Sequence, residues 1–481
     1  MEGWQLIPLQ PASGGQTALW IRLIMTEHEA PEQHPSRLEL VAYSLPSAPT
    51  SMLMMMLIVY LAPYYAAEMG MELAAVGAVF AMARIWDAVI DPVVGNLSDQ
   101  TRGRFGRRKP WIAAGLPFLL VTTYLFLQPP ENVGMPYLLL VAVAFYLAMT
   151  VVQIPYLSWG AELSRDYLER IRINGYRETA TMVGILLVAS IPLFFLRGTD
   201  PTVADIVGIF TVVVLILLPL AVIPSLLYAP QGTFIDTPRL NLHRALYALR
   251  RNRPFLRLML ASLFIWVGGH IYNASSLFLI KDALGFSPSL FLVFMVVQYV
   301  MALAFMPVIM RFGARLGKHR ALLFIGLAFF PVLWLYNFVE PGNVTEVVVV
   351  YALKGMVTSA IWVMPPAMVA DTVEHGLLED VGDDTALYMS IYFFIQKLAA
   401  AVGVGVALPL AAAMGFDPQA SGVSDDTFGI RFVATILPTL LAFPAIFLLL
   451  NYPIDEARHK AIQSELTARG IGPGGKLLGP S

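Results

Sequence analysis

Twelve long apolar segments run along this chain, and most continue for about 18 residues or more with almost no charge. A helix needs about 20 apolar residues to cross the ~30 Å hydrocarbon core of a bilayer. Only 13% of the residues are charged and the mean hydropathy is +0.68, whereas a soluble domain has about 25% charged residues. We therefore predict an all-α, multi-pass integral membrane protein. Strand-sized segments of alternating polarity are absent from the sequence, which disfavours a transmembrane barrel.

The segments group into two sets of six. The connection after the sixth, APQGTFIDTPRLNLHRALYALRRNRPF, is the longest, and it is polar and basic. The segments lie near residues 40–67, 72–98, 110–128, 136–160, 176–196, 206–228, 255–280, 288–311, 320–338, 345–370, 386–413 and 428–451. We predict a tail, a six-helix bundle, a central loop, a second six-helix bundle and a second tail, at residues 1–38, 39–229, 230–254, 255–452 and 453–481.

Charge alternates between the two sides of the predicted membrane. The connections after segments 2, 4, 6 and 8 hold most of the lysine and arginine, whereas QPPENVGMP, YNFVEPGNVTE and MGFDPQASGVSDDTFG on the other side have none. The connection after segment 10 is an acidic exception. Since basic loops stay in the cytoplasm, we predict that both termini are cytoplasmic and that the protein resides in the plasma (cell inner) membrane.

The two halves share a short sequence repeat. GRFGRRKPW follows segment 2, and RFGARLGKHR follows segment 8, the same place in the second half. Two six-helix halves with matching loops indicate pseudo-symmetric bundles around a central cavity, which is the architecture of transporters that rock between two states.

Three ionisable residues interrupt the second apolar segment. Arg84, Asp87 and Asp91 are spaced i, i+3 and i+7, so a helix places them on one stripe. Each isolated charge near the bilayer centre costs a few kcal/mol, and two carboxylates one turn apart repel each other. The pattern leaves two interpretations open: a site for a coupling cation or proton, and a permanent salt-bridge cluster with a lysine from another helix.

Other polar residues inside the apolar segments are few. Lys397 lies in segment 11, Lys354 in segment 10 and Arg177 at the start of segment 5, while Thr150 and Gln153 lie one turn apart in segment 4. We expect Lys397 to neutralise an aspartate when the cation has left, with static pairing as the alternative. Lys354 either contacts substrate or extends outward to the membrane surface.

Three stretches resemble one transporter family. RIWDAVIDPVVGNLSDQTRGRFGRRKPW is similar to the helix 2 and loop signature of the glycoside–pentoside–hexuronide:cation symporters, a branch of the major facilitator superfamily that includes the melibiose permeases. QIPYLSWGAELSRDYLERIRINGYR and VADTVEHGLLEDVGDDTALYMSIYFFIQKLAAAVG resemble two further family regions. The resemblance implies twelve transmembrane helices in the major facilitator fold, cation-coupled transport by alternating access, and no enzymatic activity.

The resemblance also implies roles for particular residues. It places the cation, Na⁺ or H⁺, at Asp87, Asp91 and Thr150, and Lys397 matches the family's helix 11 lysine. We expect Arg84 and Lys397 to balance the charge of the emptied site. It implies a cytoplasmic gate in which the acidic connection after segment 10 meets basic residues of the connection after segment 4. The gate residues are Asp99, Arg107, Arg108, Arg170, Arg172, Asp371 and Glu374.

The sequence departs from the melibiose permeases where those bind sugar. Ser51 and Met52 stand about where helix 1 carries a charged pair, Gln153 replaces a helix 4 aspartate, Leu157 stands near a sugar-stacking tryptophan, and Ile90 replaces an asparagine that accompanies the cation. The cation residues are thus better retained than the sugar residues. Our candidate substrate-binding residues are Met52, Tyr146, Gln153, Leu157, Arg177, Lys354 and Trp362.

Three classes of function remain open. A sugar or glycoside is the first substrate prediction. The second is a lysophospholipid or similar amphiphile, since the vertebrate lysophosphatidylcholine symporters resemble this family and also lack the helix 4 acid. The methionines at 52 and 54–56 fit an adaptable apolar lining or simple packing. The third class is a non-transporting membrane receptor, which has no reason to bear the cost of buried charges.

Several other functions find no support in the sequence. GIGPGGKL near the C-terminus has leucine where a phosphate-binding loop needs serine or threonine, so ATP is not the predicted energy source. The seven histidines are scattered and cysteine is absent. We predict no cofactor beyond the coupling ion, no nucleic-acid partner, contact with membrane lipid, and a monomer.

Overall fold

A computed structural model describes residues 35–164, 167–195, 201–231, 247, 249–378, 385–418 and 427–469. Within these ranges every regular element is a helix. The predicted tail at 1–38, central loop at 230–254 and C-terminal tail at 453–481 fall partly or largely outside the described residues.

Twelve long helices follow the order of the apolar segments, and a short helix follows them. They are α1 (Arg37–Val59), α2 (Leu73–Gln100), α3 (Lys109–Leu127), α4 (Met135–Glu162), α5 (Tyr167–Phe195), α6 (Val203–Tyr228), α7 (Arg253–Ala283), α8 (Pro288–Leu316), α9 (Lys318–Asn337), α10 (Val344–Leu378), α11 (Thr385–Ala413), α12 (Phe428–Leu450) and α13 (Glu456–Ala468). Eleven of the described helices are long and apolar enough to cross a membrane. The helix α5 is outside those eleven, so the count of twelve spans stays a prediction.

Polar side chains fix where several helices begin. Ser36 and Glu39 form a capping box at the start of α1, and Thr202 and Asp205 form another at the start of α6. Each box gives two backbone N–H groups at the helix end a hydrogen-bond acceptor that the helix itself lacks.

The two halves end a matching pair of helices in the same way. A single π-helical turn follows α1 at Tyr64–Glu68 and closes α7 at Leu279–Ala283. A glycine with positive φ comes shortly after each, Gly70 at 69° and Gly285 at 74°. This left-handed conformation is one that glycine adopts without a steric cost. The shared ending supports the repeat that the loop sequences indicate.

Helices α1–α6 pack mainly among themselves, as do α7–α12, and α2 packs on α11 and α5 on α8 to join the halves. We call the side that carries the α2–α3, α4–α5 and α8–α9 connections the basic face and the other side the opposite face. Toward the opposite face the halves touch closely. A Cβ added to Gly77 of α2 would lie 2.8 Å from the Cβ of Leu408 on α11, and the rings of Tyr60 and Phe291 meet edge to face at 6.0 Å.

Two groups of ion pairs described at the basic face each lie within one half. Arg107 and Arg108 both pair with Glu162 at 2.7 Å, inside the first half. Lys318 pairs with Asp371 at 2.5 Å, inside the second half. The halves are therefore joined in the middle and toward the opposite face.

Candidate cation and substrate site

The helix α2 presents its acidic residues to the protein interior. Asp87 is 6% exposed and contacts residues of α4 and α11, whereas Ile85 and Val89 on the other side of the helix are more than half exposed. This distribution follows from the helical period, because residues four apart share a face. Pro92 lies within α2 directly after Asp91. It donates no backbone hydrogen bond, so the carbonyl of Ala88 lacks its helical donor one turn earlier.

Four side chains from three helices converge here, and we call them the aspartate cluster: Asp87 and Asp91 of α2, Thr150 of α4 and Lys397 of α11. Thr150 Oγ1 lies 3.1 Å from Asp87 Oδ1 and 3.0 Å from Asp91 Oδ1. Lys397 Nζ lies 2.9 Å from Asp87 Oδ2 and also pairs with Asp91 Oδ2. The structure thus brings together four of the five residues that the sequence analysis predicted for this site.

The chemistry of the cluster suits a small hard cation or a proton. Two carboxylates and a hydroxyl present oxygen atoms to one point, and oxygen is the ligand that hard cations prefer. The carboxylates are nearly buried, and together they require positive charge nearby. In this structure the ammonium of Lys397 supplies it, with its side chain 33% exposed.

Arg84 lies beside the aspartate cluster without an ion pair among the described residues. Its guanidinium lies over the ring of Tyr146, 5.1 Å from the ring centre. Tyr146 is 3% exposed. The permanent cluster that would include Arg84 is therefore not the arrangement seen here, since Lys397 is the cation that reaches both aspartates.

The other predicted substrate residues divide by exposure. Trp362 is 44% exposed and meets Trp266 edge to face at 6.1 Å, and Leu157 is 37% exposed. Gln153 is partly buried, as is Arg177, which pairs with its neighbour Glu178 at 2.7 Å.

Two predicted substrate residues are enclosed instead. Met52 is completely buried in the packed core of the first half. Lys354 is 1% exposed and contacts Tyr272 and Tyr336 of the second half. Direct substrate contact with either does not fit this structure, because protein atoms surround both side chains.

The predicted gate residues of the first half pair with one another. Asp99 pairs with Arg108, and Arg107 and Arg108 pair with Glu162. Arg172 lies 3.2 Å from Glu169 on its own helix, and the side chain of Arg170 lies outside the described residues.

The predicted acidic gate residues have partners in the second half. Asp371 pairs with Lys318, and His459 of α13 lies 3.3 Å from Asp371 and 3.1 Å from Glu374. The structure does not bring Arg172 to Asp371 or Glu374. Since the side chain of Arg170 lies outside the described residues, the pairing between the halves stays a prediction. Lys318 belongs to the repeated loop RFGARLGKHR, a signal that could have found it, whereas nothing in the sequence singles out His459.

The family is shown by comparison with known proteins. The sequence model of the family described as MFS/sugar transport protein matches residues 42–456. This chain belongs to that family. The predicted membership of the major facilitator superfamily, within its cation symporter branch, is confirmed.

Relatives within the MFS/sugar transport family are similar along most of their length. The glucuronide carrier protein homolog of Escherichia coli (strain K12) is 23% identical over 443 residues, covering 89% of this chain and 95% of the relative. The sodium-dependent lysophosphatidylcholine symporter 1-A of Danio rerio is 24% identical over 427 residues, covering 80% of each. The crystal structure of the nucleoside transporter NupG matches with a TM-score of 0.58 at 12% identity, covering 89% of this chain and 99% of NupG.

Fold and function class follow from these findings. The chain is an all-α, multi-pass integral membrane protein with the major facilitator fold, and it is a secondary transporter. Symporters among its relatives imply a coupling cation. The orientation of the termini stays a prediction.

Proposed function

We propose that this MFS/sugar transport family member is a Na⁺- or H⁺-coupled symporter that moves a small solute, a sugar or glycoside first, by alternating access. The observation that supports this proposal is the aspartate cluster, in which the ammonium of Lys397 occupies the space between two nearly buried carboxylates. A lysine placed there competes with an incoming cation for the two carboxylates.

The aspartate cluster suggests how the two substrates are coupled. The driving cation enters between Asp87, Asp91 and Thr150 and displaces Lys397, which frees the lysine to move away from α2. When the cation leaves toward the cytoplasm, Lys397 returns and neutralises the carboxylates, with Arg84 nearby. Each charge that crosses the whole membrane gains about 2.3 kcal/mol per 100 mV of potential.

The structure fits the state of the cycle that is open toward the cytoplasm. The halves meet toward the opposite face at Gly77 and Leu408 and at Tyr60 and Phe291, while the ion pairs at the basic face lie within each half. If the basic face is cytoplasmic, as its charge predicts, closing this side requires Asp371 to leave Lys318 for a partner in the first half.

The relatives and the side chains near the site favour two substrate classes. A glucuronide carrier homolog and a lysophosphatidylcholine symporter are both similar to this chain. Polar Gln153 and Arg177 and the exposed ring of Trp362 suit sugar hydroxyls and a sugar face. Exposed Leu157 and half-buried Met55 suit an acyl chain, which makes a lysophospholipid the second candidate.

Further expectations accompany this proposal. The protein is not an enzyme, acts as a monomer and requires no cofactor beyond its coupling ion. A receptor without transport is the least favoured function, because the aspartate cluster would then cost free energy without use.

The deciding experiment is uptake into proteoliposomes under an imposed inward Na⁺ or H⁺ gradient. Labelled glycosides are compared with labelled lysophosphatidylcholine, and Asp91→Asn is the matched control. We expect accumulation of a glycoside that requires one gradient and that Asp91→Asn abolishes. Lipid movement without sugar uptake would establish the second candidate, and gradient-driven uptake that survives Asp91→Asn would overturn the cation site.

A further inference from the structure

A buried lysine lies apart from the aspartate cluster. Lys354 of α10 is 1% exposed, and its side-chain nitrogen is enclosed by three tyrosines from three helices. It lies 3.7 Å from the ring centre of Tyr351 and 4.2 Å from that of Tyr272. It hydrogen bonds to the hydroxyl of Tyr272 and lies 3.5 Å from that of Tyr336. We call this arrangement the tyrosine cage.

The tyrosine cage encloses a lysine with no acid beside it among the described residues. Among the described residues Lys354 forms no ion pair, and the groups around it are Tyr272 of α7, Tyr336 of α9 and Tyr351 of α10. The helix α8 adds Tyr299, whose hydroxyl contacts Met55. The one charged side chain of α11, Lys397, is engaged with the aspartates. Aromatic rings and hydroxyls favour a cation but do not neutralise its charge, so an ammonium here lacks the compensation that a carboxylate would give.

A line of aromatic rings connects the cage to the contact between the halves. Tyr351 meets Phe291 of α8 edge to face at 6.4 Å, and Phe291 meets Tyr60, at the end of α1, at 6.0 Å. Tyr60 therefore covers this line from the first half. Its hydroxyl is buried and has no hydrogen-bond partner within the described chain, which favours any state that returns it to water.

The packing beside Lys354 couples the cage to α8. A Cβ added to the next residue, Gly355, would lie 2.3 Å from the backbone oxygen of Gln298 and 2.9 Å from Cβ of Met301. The helices α8 and α10 are in backbone contact there, so a movement of α8 away from α1 moves the wall of the cage with it.

We propose that Lys354 is a second proton-binding site of this carrier, neutral while the opposite face is closed and protonated when that face opens. Opening separates Tyr60 from Phe291 and lets water reach the tyrosine cage, which stabilises the ammonium. Closing removes the water, and the proton leaves Lys354 toward the opposite face. The inference rests on the proposed function, because it requires alternating access.

The test uses a thiol at the closed contact. The chain has no cysteine, and Leu408, which is completely buried against Gly77, becomes accessible only when the opposite face opens. Leu408→Cys is labelled with a water-soluble maleimide across a pH series. Thr345→Cys, at an exposed position of α10, gives the labelling rate of a freely accessible thiol at each pH, and the ratio of the two rates measures opening.

The expected result is a ratio that rises as pH falls. A single proton bound preferentially to the open state shifts the equilibrium by up to about tenfold per pH unit. Lys354→Met in the Leu408→Cys chain should remove the part of this slope that Lys354 supplies and leave the ratio low. Lys354→Arg, which keeps its charge, should give a high ratio that does not fall as pH rises. Lys281→Met, at a partly exposed lysine of α7, should leave the slope unchanged.

Two results would overturn the inference. One is a Lys354→Met chain whose slope matches the parent. If Lys354→Met does not fold, a Lys354→Arg chain that titrates like the parent overturns it equally. The labelling needs neither substrate nor ion gradient, so its outcome is independent of the uptake experiment. Loss of the slope in Lys354→Met together with uptake that survives Asp91→Asn would contradict the cation site and retain the proton site.

Discussion

Lys397 Nζ lies 2.9 Å from Asp87 Oδ2 and pairs at the same time with Asp91, so one ammonium of the second half neutralises charge on two carboxylates of the first half. In the proposed mechanism Lys397 therefore substitutes for the transported cation. It also joins the halves at the centre, since α2 belongs to the first half and α11 to the second.

Replacing Lys397 by methionine should make the stability of the protein depend on Na⁺ or protons. The two carboxylates then lack a counter-charge and repel each other. A ligand that binds the folded protein at 100 times its Kd adds about 2.7 kcal/mol, so we expect the thermal midpoint of Lys397→Met to rise with Na⁺ or with falling pH. Lys397→Arg keeps the charge and should respond as weakly as the parent chain. Equal thermal midpoints for Lys397→Met at all ion concentrations would refute competition between Lys397 and the driving cation for the two aspartates.

Removing the hydroxyl of Thr150 should weaken binding of the driving ion. Its Oγ1 is within 3.1 Å of both aspartates, and a lost hydrogen bond to a charged group costs about 1.5–3 kcal/mol. A loss of about 1.5 kcal/mol corresponds to about a tenfold change in affinity. For Thr150→Val we therefore expect the ion concentration that gives half-maximal uptake to rise about tenfold or more. Thr150→Ser, which keeps the hydroxyl, should stay near the parent value. A valine variant with unchanged ion dependence would remove Thr150 from the site.

A large side chain at Gly77 should hold the opposite face open. Its Cβ would lie 2.8 Å from Leu408 Cβ and 2.9 Å from Pro409 Cδ. We expect Gly77→Leu to lose net uptake and to gain distance between α2 and α11 toward that face, as measured between spin labels. Gly208→Ala is the control, because its Cβ would meet nothing nearer than 3.9 Å. Unchanged distances between the spin labels on α2 and α11 in Gly77→Leu would contradict the close contact between Gly77 and Leu408.

The sequence predicted much of this site because helical periodicity carries the information. Arg84, Asp87 and Asp91 share a stripe by spacing alone, and their cost in a bilayer required a partner such as Lys397. The resemblance supplied Thr150. That Arg84 lies over Tyr146 was beyond sequence reasoning, because a cation over a ring leaves no fixed spacing along the chain.

The gate stays a prediction. The sequence identified acidic residues near 371 and basic residues near 172, but their partners depend on which side of the carrier is closed. Charge type is encoded locally, whereas the choice between Lys318 and an arginine of the first half depends on how the halves are placed. His459 reaches Asp371 from a helix beyond the last membrane segment, a contact without any sequence signal.

Glu162 should be a major determinant of stability. It is 4% exposed and pairs with Arg107 and Arg108, which are 8% and 3% exposed. Removing one member of a buried ion pair costs about 3–5 kcal/mol, so we expect Glu162→Gln to unfold at a markedly lower temperature. Glu465→Gln, which removes an exposed pair with Arg458, should change stability by about 1 kcal/mol or less. Similar midpoints for the two variants would show that Glu162 is dispensable for folding.

The contact between Gly77 and Leu408 has an electrical consequence. A membrane stores energy as an ion gradient, and a continuous column of water through a carrier would let ions leak and dissipate that gradient. Backbone meets side chain there without room for a solvent molecule, so in the proposed cycle this contact would keep water from crossing the closed side. A glycine in this place would then preserve the ion gradient from a position that touches neither ion nor solute.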